Sequence, residues 1–355
     1  MNQNDNNVLV IGTGLIGTSI ALGLTAQGLS VFLSDIEPSA LEDAIKVSGA
    51  KKYTDQEANV VFIATPPASV ASLMASAATA HPDAVITDVA SVKGSIFREL
   101  EALGTNAWDR IVGGHPMAGR EVSGAIGAQG NLFLDRPWVI AASDKTSPNA
   151  IATVKSLVES LGAFPVLRTI EEHDRAVALI SHTPQVVASV LAGELMDAEG
   201  SYIELAGQGI RDTIRIAGSD SNLWTEILSE NSEFISQQVT QVANHLLDFA
   251  SALESGNRTS VTEKLVKGNQ GRDRLPGKHG SSQQSIATLV VRLDDKPGEL
   301  ARLFTVAAQA NVNLEDVRID HSLGHPTGLV ELTIAPSSIP LLKPALEVES
   351  FVVIS

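Results

Sequence analysis

The chain has 355 residues, of which 44% are hydrophobic and 19% charged, and its formal net charge at pH 7 is −16. This composition predicts a folded protein of two or three domains, and the acidic balance argues against nucleic acid or an anionic membrane as a partner. The chain contains no cysteine, which excludes disulfides, thiol nucleophiles and Cys-ligated metals. The N-terminus lacks a signal-peptide pattern, and no apolar run is predicted to approach the ~20 residues of a membrane span, so we expect a cytoplasmic protein.

Short apolar runs alternate with helical patterns through the first half of the chain, which indicates parallel βαβ units. A small-residue helix follows the first strand and ends near Ala26, and another helix is predicted at Asn149–Leu161. We therefore predict an α/β fold with a Rossmann-type, doubly wound sheet over residues 1–168. Its strands are predicted at Asn7–Ile11, Ser30–Ser34, Val60–Thr65, Ala84–Asp88 and Trp138–Ala141.

The pattern changes at Ile170, where strand-like runs disappear, so residues 169–267 are predicted to form an all-α substrate and dimerisation domain. Within it, Glu226–Leu253 carries apolar residues at three- to four-residue spacing, which predicts one amphipathic helix of about eight turns. So long a helix needs a partner surface, either within the helical domain or on a second copy of the chain.

Residues 268–285 are rich in glycine and polar residues and have no periodicity, which predicts a linker. Strand patterns then return at Ile286–Leu293, Val312–Ile319 and Gly328–Ile334, with a helix at Gly298–Asn311. A further short helix and strand complete a βαββαβ order, so residues 286–355 are predicted to form a small third domain.

Gly12-Thr-Gly14-Leu15-Ile16-Gly17 follows a predicted strand and opens a helix, which is the setting that a dinucleotide-binding loop requires. Gly12 allows the tight turn, Gly14 lets the backbone approach a pyrophosphate, and Gly17 permits close packing of helix and strand. The amides at the helix N-terminus, including those of Leu15 and Ile16, are donors for the phosphates.

Asp35 ends the second predicted strand, where a carboxylate accepts the ribose hydroxyls of a dinucleotide. No Arg or Lys stands between Asp35 and Lys46 to bind a 2′-phosphate, so NAD is favoured over NADP. Thr65, at the end of the third predicted strand, is assigned to the same cofactor site. The alternative is a glycine-rich turn in which Asp35 only caps a helix.

Residues 113–121 read Gly-Gly-His-Pro-Met-Ala-Gly-Arg-Glu. The proline after His115 biases the histidine toward extended backbone, which predicts that a loop at a strand end presents the imidazole. Glu121 follows six residues later as a second ionisable group. A histidine in such a turn either takes part in chemistry at a ligand crevice or caps a strand.

Ser91 and Lys93 follow another strand of the predicted sheet. Because the carboxyl ends of the strands line the ligand crevice, both residues are expected to face it. The alternative is a helix cap by Ser91 beside a solvated Lys93. A third cluster, Ser181-His182-Thr-Pro-Gln185, places a histidine two residues before a proline.

Arg211 and Arg215 are four residues apart and would share one face of a helix. Two guanidiniums facing one way in a strongly acidic chain suggest a clamp for a dicarboxylate, because guanidiniums pair bidentately with carboxylates. The alternative is ion pairing with Asp212 or with nearby glutamates.

Together, these motifs resemble the prephenate/arogenate dehydrogenase family of tyrosine biosynthesis. The resemblance implies NAD-dependent oxidative decarboxylation, in which a hydride leaves C4 of a cyclohexadiene ring and the ring carboxylate departs as CO2. The matching segments follow the family's order over nearly all of residues 7–225: Gly12–Gly17, Ser91–Gly94, His115–Gly119 with Glu121, Ser123 and Gly124, Ser181-His182, and Arg211–Ala217 with Ser219, Asp220 and Trp224.

The resemblance also implies roles for individual residues. His115 accepts the hydrogen bond of the substrate's 4-hydroxyl, and such general-base assistance is worth about 10²–10⁴ in rate. Ser91 orients this group, Arg215 binds the ring carboxylate, and Arg211 faces the side-chain carboxylate.

Four further residues, Glu121, Asp212, His182 and Gln185, are assigned to the substrate pocket. Glu121 and Asp212 match positions linked to access and salt bridging. Many family members carry a second histidine three residues beyond the one that matches His182, and here that residue is Gln185. Prephenate has a keto group where arogenate has an ammonium, and a neutral amide neither repels an ammonium nor supplies a cationic donor. The choice of substrate therefore stays open, with prephenate favoured.

Residues 286–355 resemble the ACT domain, a ferredoxin-like regulatory module that often binds amino acids at its first loop in a dimer. The resemblance implies feedback by an amino acid, with tyrosine as the expected effector. Contacts are expected at Asp295, Pro297, Gly298 and Asn313. The alternative is a module that serves dimerisation alone.

Two other functions compete with an NAD-dependent homodimeric prephenate dehydrogenase. A β-hydroxyacid dehydrogenase also has a Rossmann domain before a helical domain, but it relies on a helical lysine, and the segments around His115 and Arg215 argue against it. A non-catalytic NAD-binding sensor of amino acids is disfavoured by the joint presence of His115, Ser91 and Arg215. No metal is expected, because aromatisation drives the reaction and the sequence has no cluster of metal ligands.

Overall fold

The computed structural model describes residues 7–119, 124–275, 287–321 and 327–354, and it divides into two compact units between Asn244 and His245. The first unit begins with alternating strands and helices: β1 Asn7–Ile11, α1 Leu15–Ala26, β2 Ser30–Ser34, α2 Pro38–Ser48, β3 Lys51–Lys52, β4 Val60–Ile63, α3 Pro67–Ala80, β5 Val85–Asp88, α4 Gly94–Ala102, β6 Ile111–Pro116, β7 Pro137–Ala141, α5 Pro148–Ser160 and β8 Phe164–Arg168.

Helices alone follow: α6 Ile170–Val177, α7 Thr183–Gly193, α8 Gly200–Ile203, α9 Gln208–Ile214, α10 Ser221–Glu230 and α11 Ser232–Glu254, which runs across the unit boundary. The second unit continues with α12 Arg258–Arg272, β9 Ala287–Asp294, α13 Glu299–Gln309, β10 Asp316–His321, β11 Thr327–Ile334, α14 Ile339–Val348 and β12 Val352–Val353.

The eight strands of the first unit form one sheet in the order β3-β2-β1-β4-β5-β6-β7-β8. Neighbouring strands are parallel except for the antiparallel pair β6–β7. The chain runs outward from β1 in both directions, so the strand order switches between β1 and β4. Ligands of such sheets bind outside the carboxyl ends of the strands at this switch point.

Helices cover both faces of this sheet, as the burial of β1 and β4 shows. Val8 and Val10 belong to one apolar core, whereas Leu9 belongs to a second core on the other face. Strands buried on both faces are typical of a doubly wound sheet, so the predicted α/β architecture is confirmed.

The sequence prediction was wrong at residues 113–116, which it assigned to a loop. They belong to β6, where His115 pairs with Val139 of β7 in antiparallel register. The extended backbone that proline imposes on His115 was predicted correctly, and pairing with β7 makes that extended segment part of a strand. Strands β3 and β8 were not predicted.

The single helix predicted over Glu226–Leu253 is two helices, which meet at Asn231. The Asn231 side chain is buried, and its Nδ2 donates a hydrogen bond to the carbonyl of Asp174 at 2.9 Å. The apolar spacing continues through both helices, and for this reason the sequence pattern conceals the break.

A linker was predicted over residues 268–285, but the first part of that range is helical. Residues 268–272 belong to α12, because the helical pattern of hydrogen bonds continues through Gly268 and Gly271 despite the cost of about 1 kcal/mol for a glycine inside a helix. Residues 276–286 lie outside the described part of the chain. Beyond them, four strands form an antiparallel sheet in the order β10-β11-β9-β12, with α13 and α14 contributing to its apolar core.

Candidate active site

The loop between β1 and α1 is shaped by close backbone contacts. Gly12 has a φ of +98°, and a Cβ there would lie 2.4 Å from the carbonyl oxygen of Ala64. A Cβ on Gly17 would lie 2.0 Å from the carbonyl oxygen of Gly12. At Gly14, by contrast, a Cβ would have no described heavy atom within 4 Å. The loop is therefore tight against the protein at Gly12 and Gly17 and open at Gly14, as binding of a pyrophosphate requires.

Asp35 follows β2 and is hydrogen-bonded to the same loop. Its Oδ2 accepts bonds from the backbone N and Oγ1 of Thr13 at 2.6 and 2.7 Å, and its Oδ1 accepts one from the backbone N of Glu37 at 2.9 Å. Burial raises the pKa of Asp35, but these hydrogen bonds outweigh it and hold the pKa below its usual value. The ionised, partly exposed carboxylate fits the ribose of NAD.

The other residues predicted for the cofactor contribute in different ways. Leu15 and Ile16 form the first turn of α1, and the Ile16 side chain packs against the apolar core, so these two residues offer their backbone amides. Thr65 follows β4, and its Oγ1 accepts a hydrogen bond from Ser69 Oγ at 2.9 Å. The glycine loop, the start of α1 and Asp35 together fit a bound NAD.

A buried ion pair fixes the segment after β5. The ammonium of Lys93 donates to Asp88 Oδ2 and to the carbonyls of Ala90 and Val92 at 2.9 and 3.0 Å, and both charged side chains are 0% exposed. The alternative of a solvated Lys93 is therefore wrong, and so is the expectation that Lys93 faces the crevice, because protein acceptors enclose its ammonium. The other carboxylate oxygen, Asp88 Oδ1, accepts a bond from the backbone N of Gly114 at 3.0 Å, which ties this segment to β6.

Two glycines of β6 make this arrangement possible. A Cβ on Gly113 would lie 2.8 Å from Cδ of Lys93, and one on Gly114 would lie 2.3 Å from the backbone oxygen of Asp88. Ser91 lies in the segment that the ion pair holds, two residues before Lys93, which is the N-cap residue of α4. Ser91 is therefore not the cap of that helix, which removes the alternative role considered from the sequence.

His115 is the first member of a chain of hydrogen bonds that continues into the helical region. Its Nδ1 lies 2.8 Å from Nε2 of His173, and the two rings are nearly perpendicular at 74°. Nδ1 of His173 lies 2.7 Å from Oδ1 of Asp174. The Asp174 carboxylate also accepts bonds from the backbone N of Lys93 at 2.9 Å and of Gly94 at 2.7 Å, so it caps the N-terminus of α4.

Burial is the main cause of the ionisation behaviour of this chain. It lowers the pKa of His115 well below the usual range, and His173, Lys93 and His182 lower it further. Burial also lowers the pKa of His173, against the opposing effect of its bond to Asp174. Both imidazoles are consequently neutral at pH 7.

His173 and Asp174 were not singled out from the sequence. They lie in the first turns of α6, whose start is fixed by a capping box. Thr169 Oγ1 accepts a bond from the backbone N of Glu172 at 3.2 Å, and Glu172 Oε2 accepts one from the backbone N of Thr169 at 2.9 Å. The pattern Thr-x-x-Glu before His-Asp is a readable signal for this helix start, although it does not reveal which residues His173 contacts.

His182 ends a turn of π-helix, Ala178–His182, between α6 and α7. The imidazole is buried, and its Nδ1 lies 3.3 Å from the Asn231 side-chain nitrogen, which donates the bond. The Trp224 ring packs edge-on against this imidazole, with 6.1 Å between the two ring centroids. Burial lowers the pKa of His182 to about 4. π-Turns within helices are frequent at functional sites, and this one carries a predicted site residue.

The remaining predicted pocket residues lie farther along the helical region. Gln185 is buried in α7, and its Nε2 lies 3.4 Å from Ser189 Oγ. Arg211, Asp212 and Arg215 are exposed, and their segment packs against α7. Helix α9 ends at Ile214 and a 3-10 turn begins at Arg215, so the two arginines lie on consecutive helical segments of different type.

Glu121 lies outside the described residues. Asp212 accepts a hydrogen bond from Gln208 Nε2 at 2.8 Å. Glu121 and Asp212 therefore stay predictions as pocket residues.

Within the described residues, one helical stretch, Ile170–Met196, is long and apolar enough to cross a membrane. The expectation that no such run exists is therefore wrong, because α6, the π-turn, α7 and a following 3-10 turn form a longer helical stretch than the sequence pattern indicated. It carries the buried polar residues His173, Asp174, His182 and Gln185, and it also exposes apolar side chains such as Ile180 and Val190.

In the second unit, the loop from β9 to α13 lines a cavity of about 370 Å³. Asp295, Pro297 and Gly298 line it, as do Ile319 and Val330 of the adjoining strands. Gly298 has a φ of +93° and begins α13. Asn313 is not among the residues lining this cavity, and its Nδ2 donates to Glu315 Oε1 at 2.7 Å.

Comparison with known proteins shows the family to which the chain is similar. The family model for the prephenate dehydrogenase nucleotide-binding domain matches residues 20–167, and the model for the prephenate dehydrogenase dimerization domain matches residues 169–267. A probable prephenate dehydrogenase of Streptomyces niveus is 34% identical over 92% of this chain and 94% of the relative.

Two solved structures are similar over about three quarters of the chain. Arogenate dehydrogenase of Synechocystis is 29% identical with a TM-score of 0.67, covering 76% of this chain and 99% of that one. Prephenate dehydrogenase of A. aeolicus, in complex with hydroxyphenyl propionate and NAD+, is 26% identical with a TM-score of 0.69, covering 75% and 97%. With both family models matching in sequence order and a relative of this identity over nearly its whole length, the chain belongs to the prephenate dehydrogenase family.

Proposed function

We propose that this protein catalyses the NAD-dependent oxidative decarboxylation of prephenate to 4-hydroxyphenylpyruvate. The observation that carries the proposal is the position of His115 at the carboxyl end of β6, on the same edge of the sheet as the glycine loop and Asp35. A neutral imidazole at that edge is suited to accept a proton from a substrate held against the nicotinamide.

The residues of the chain provide the acid–base part of this reaction. When bound, NAD+ accepts the hydride from C4 of the ring. His115 accepts the hydrogen bond of the 4-hydroxyl and takes up positive charge as the C4–O bond gains carbonyl character, and Ser91 orients this group. Loss of the ring carboxylate as CO2 then makes the ring aromatic, which supplies the driving force.

Substrate binding is assigned to the cations of the helical region. Arg215 binds the ring carboxylate, Arg211 faces the side-chain carboxylate, and His182 and Gln185 line the pocket. Removing a hydrogen bond to a charged group costs about 1.5–3 kcal/mol, so Arg215→Ala should raise KM by about 10- to 150-fold. An unchanged KM would refute the clamp, and Arg168→Ala, an exposed arginine of β8, is the matched control.

Gln185 is the residue that bears on the choice between prephenate and arogenate. Its neutral amide tolerates the side chain of either substrate, and we favour prephenate. The direct experiment follows NADH absorbance with each substrate in turn, and formation of NADH with neither would refute the enzymatic proposal. A rate with arogenate above that with prephenate would assign the chain to arogenate instead.

Residues 286–355, which form the last part of the second unit, are proposed to be an ACT-like, ferredoxin-like regulatory domain. Support comes from its βαββαβ order, its sheet order and the cavity beside Asp295, Pro297 and Gly298. The cavity has the size and the polar groups to hold an amino acid, with tyrosine as the expected effector. Equal rates of NADH formation with and without tyrosine would refute this regulation, and titration with phenylalanine would test its selectivity.

We also propose that the protein is a cytoplasmic homodimer. Helices α7, α8, α11 and α12 expose large apolar side chains, among them Val190, Tyr202, Leu247 and Leu265, and the dimerization-domain model covers these residues. Exposed apolar surface of this kind marks an interaction surface. Light scattering that gave the mass of one chain at micromolar concentration would contradict the dimer.

A further inference from the structure

We propose that His173 and Asp174 act on His115 as positioning residues, in a relay that fixes its tautomer and shares the charge it gains during the reaction. This inference rests on the proposed function and adds two residues to the machinery assigned to it. It is carried by two hydrogen bonds, His115 Nδ1 to His173 Nε2 at 2.8 Å and His173 Nδ1 to Asp174 Oδ1 at 2.7 Å.

The direction of each hydrogen bond follows from the end of the chain. The Asp174 carboxylate accepts bonds from two backbone amides, so it is ionised and can only accept. His173 must then carry its proton on Nδ1, which leaves its Nε2 as an acceptor. His115 in turn donates from Nδ1, and its own Nε2 is left with a free lone pair.

The relay thus selects the tautomer that the reaction needs. An imidazole whose Nδ1 hydrogen is already bound offers Nε2 as its acceptor to a ligand in the crevice. Without His173, the two neutral tautomers of His115 would compete, and the Nε2–H form could not accept the substrate's hydroxyl proton.

The same chain of hydrogen bonds is consistent with the way protons move in the reaction. C4 loses a hydride to NAD+ and the ring loses CO2, while the hydroxyl of the substrate is still a hydroxyl in the product. The proton that moves from the 4-hydroxyl to His115 Nε2 therefore returns to the same oxygen once the ring is aromatic. His115 holds a positive charge only briefly, and as it does so its Nδ1 proton shifts toward His173, whose other nitrogen is bonded to a carboxylate.

The groups around the relay explain why an imidazole next to His115 helps to stabilise the charge that His115 gains. Lys93 and His182 act on His115 from the β5–α4 segment and from the π-turn, and both lower its pKa. Asp88 and Asp174 act on His173 with the opposite sign. Asp88 is already paired with Lys93. The negative charge available to stabilise a protonated His115 is therefore that of Asp174, and it acts through the hydrogen bonds of His173.

Variants of His173 test the relay by activity. In His173→Gln, the side-chain oxygen can still accept the Nδ1 proton of His115 but cannot take it up, whereas His173→Leu removes both functions. We expect single-turnover NADH formation to fall about 10-fold in the first and about 100-fold in the second, because a positioning residue should contribute no more than the lower end of the ~10²–10⁴ of general-base effects.

The control is His81→Gln, which removes a buried imidazole bonded to Tyr53 outside this site. Its rate and pH profile should equal those of the unaltered protein. A His173→Leu variant with a normal rate would overturn the relay. Should that variant fail to fold, His173→Gln with a normal rate and an unchanged solvent isotope effect would overturn it equally.

A readout independent of turnover separates this inference from the proposed function. Imidazole ¹⁵N spectra of the unaltered protein should show His115 and His173 both protonated at Nδ1 near pH 7. Protonation of His115 at Nε2 would overturn the relay even if prephenate is the substrate. If neither substrate yields NADH but the spectra show the expected tautomers, the proposed function fails and the relay geometry stands.

Discussion

Each unit of the protein contains a Lys–Asp ion pair next to its proposed ligand site, and the two pairs differ in their surroundings. Lys93 and Asp88 are both 0% exposed, and three acceptors surround the ammonium. Lys296 and Asp294, at the loop that lines the second cavity, are 70% and 51% exposed with 2.8 Å between their charged atoms. The buried pair fixes the backbone around Ser91, whereas the exposed pair leaves its charges accessible to a ligand.

This difference extends to the groups around each pair. At the edge of the large sheet, the described polar side chains of Lys93, Asp88, His173, Asp174 and Asn231 are hydrogen-bonded within the protein. Buried polar groups are costly unless they are satisfied, so such a network holds one geometry. The cavity of the second unit has backbone and exposed charges at its rim, which suits a reversible effector.

The largest effect should follow a change to the group that the buried network orients. His115→Asn removes the proton acceptor, so we expect kcat for NADH formation to fall by about 10²–10⁴. Thermal unfolding of the variant separates a loss of catalysis from a loss of folded protein. A variant with undiminished turnover would mean that the network does not serve catalysis.

The two ion pairs give a matched test of stability. Lys93→Met leaves Asp88 as a buried, unpaired carboxylate, and breaking a buried pair in this way costs about 3–5 kcal/mol. Urea unfolding of this variant should show a clear loss, and Lys93→Met with Asp88→Asn should recover part of it. Lys296→Met should leave the unfolding midpoint unchanged because both partners are solvated. Equal effects of the two lysine variants would contradict the comparison.

The buried imidazoles predict how stability depends on pH. The pKa of His182 is about 4 in the folded protein and near 6.5 when unfolded, so the unfolded chain binds more protons between these values. The free energy of unfolding should therefore fall as pH drops from 6.5 to 4, by about 3 kcal/mol for His182 alone.

His182→Asn, which keeps an acceptor for Asn231, should make this acid dependence shallower. The exposed His245 provides the matched control as His245→Asn. Unfolding curves at pH 7, 6, 5 and 4.5 measure both variants. An acid dependence as steep in His182→Asn as in the unaltered protein would show that other groups cause it.

The smallest effect on basal activity is expected at the second cavity. Gly298 has a φ of +93°, and a Cβ there would have no described heavy atom within 4 Å, so Gly298→Ala alters the loop through backbone strain alone. We expect the response to tyrosine to weaken while the rate without tyrosine is unchanged. A full response in this variant would place the effector elsewhere.

The sequence predicted the features that depend on short-range patterns. The glycine loop with Asp35, the strands β1, β2 and β5 and the helix α13 all follow from local spacing and turn chemistry, and the structure contains them. Strand β6 was missed because its glycines and proline read locally as a turn. Its extended form depends on partners in β5 and β7 that are distant in sequence.

The contacts of His115 could not be predicted for the same reason. His173 is 58 residues away along the chain, and no local pattern predicts that the two imidazoles are hydrogen-bonded. Asn231 was concealed in a different way, since the apolar spacing is continuous across it while its side chain bonds to the backbone of Asp174. Polar side chains with long-range partners are the features that a single sequence conceals.

The cap that Asp174 places on α4 has a consequence for how such proteins can be recombined. The carboxylate belongs to the first helix after the sheet, yet the amides that it binds, those of Lys93 and Gly94, belong to the sheet domain. A chimera that exchanges the helical domain at residue 168 would also exchange the partners of His115. Such a chimera should stay active only where the incoming helix brings its own histidine and carboxylate.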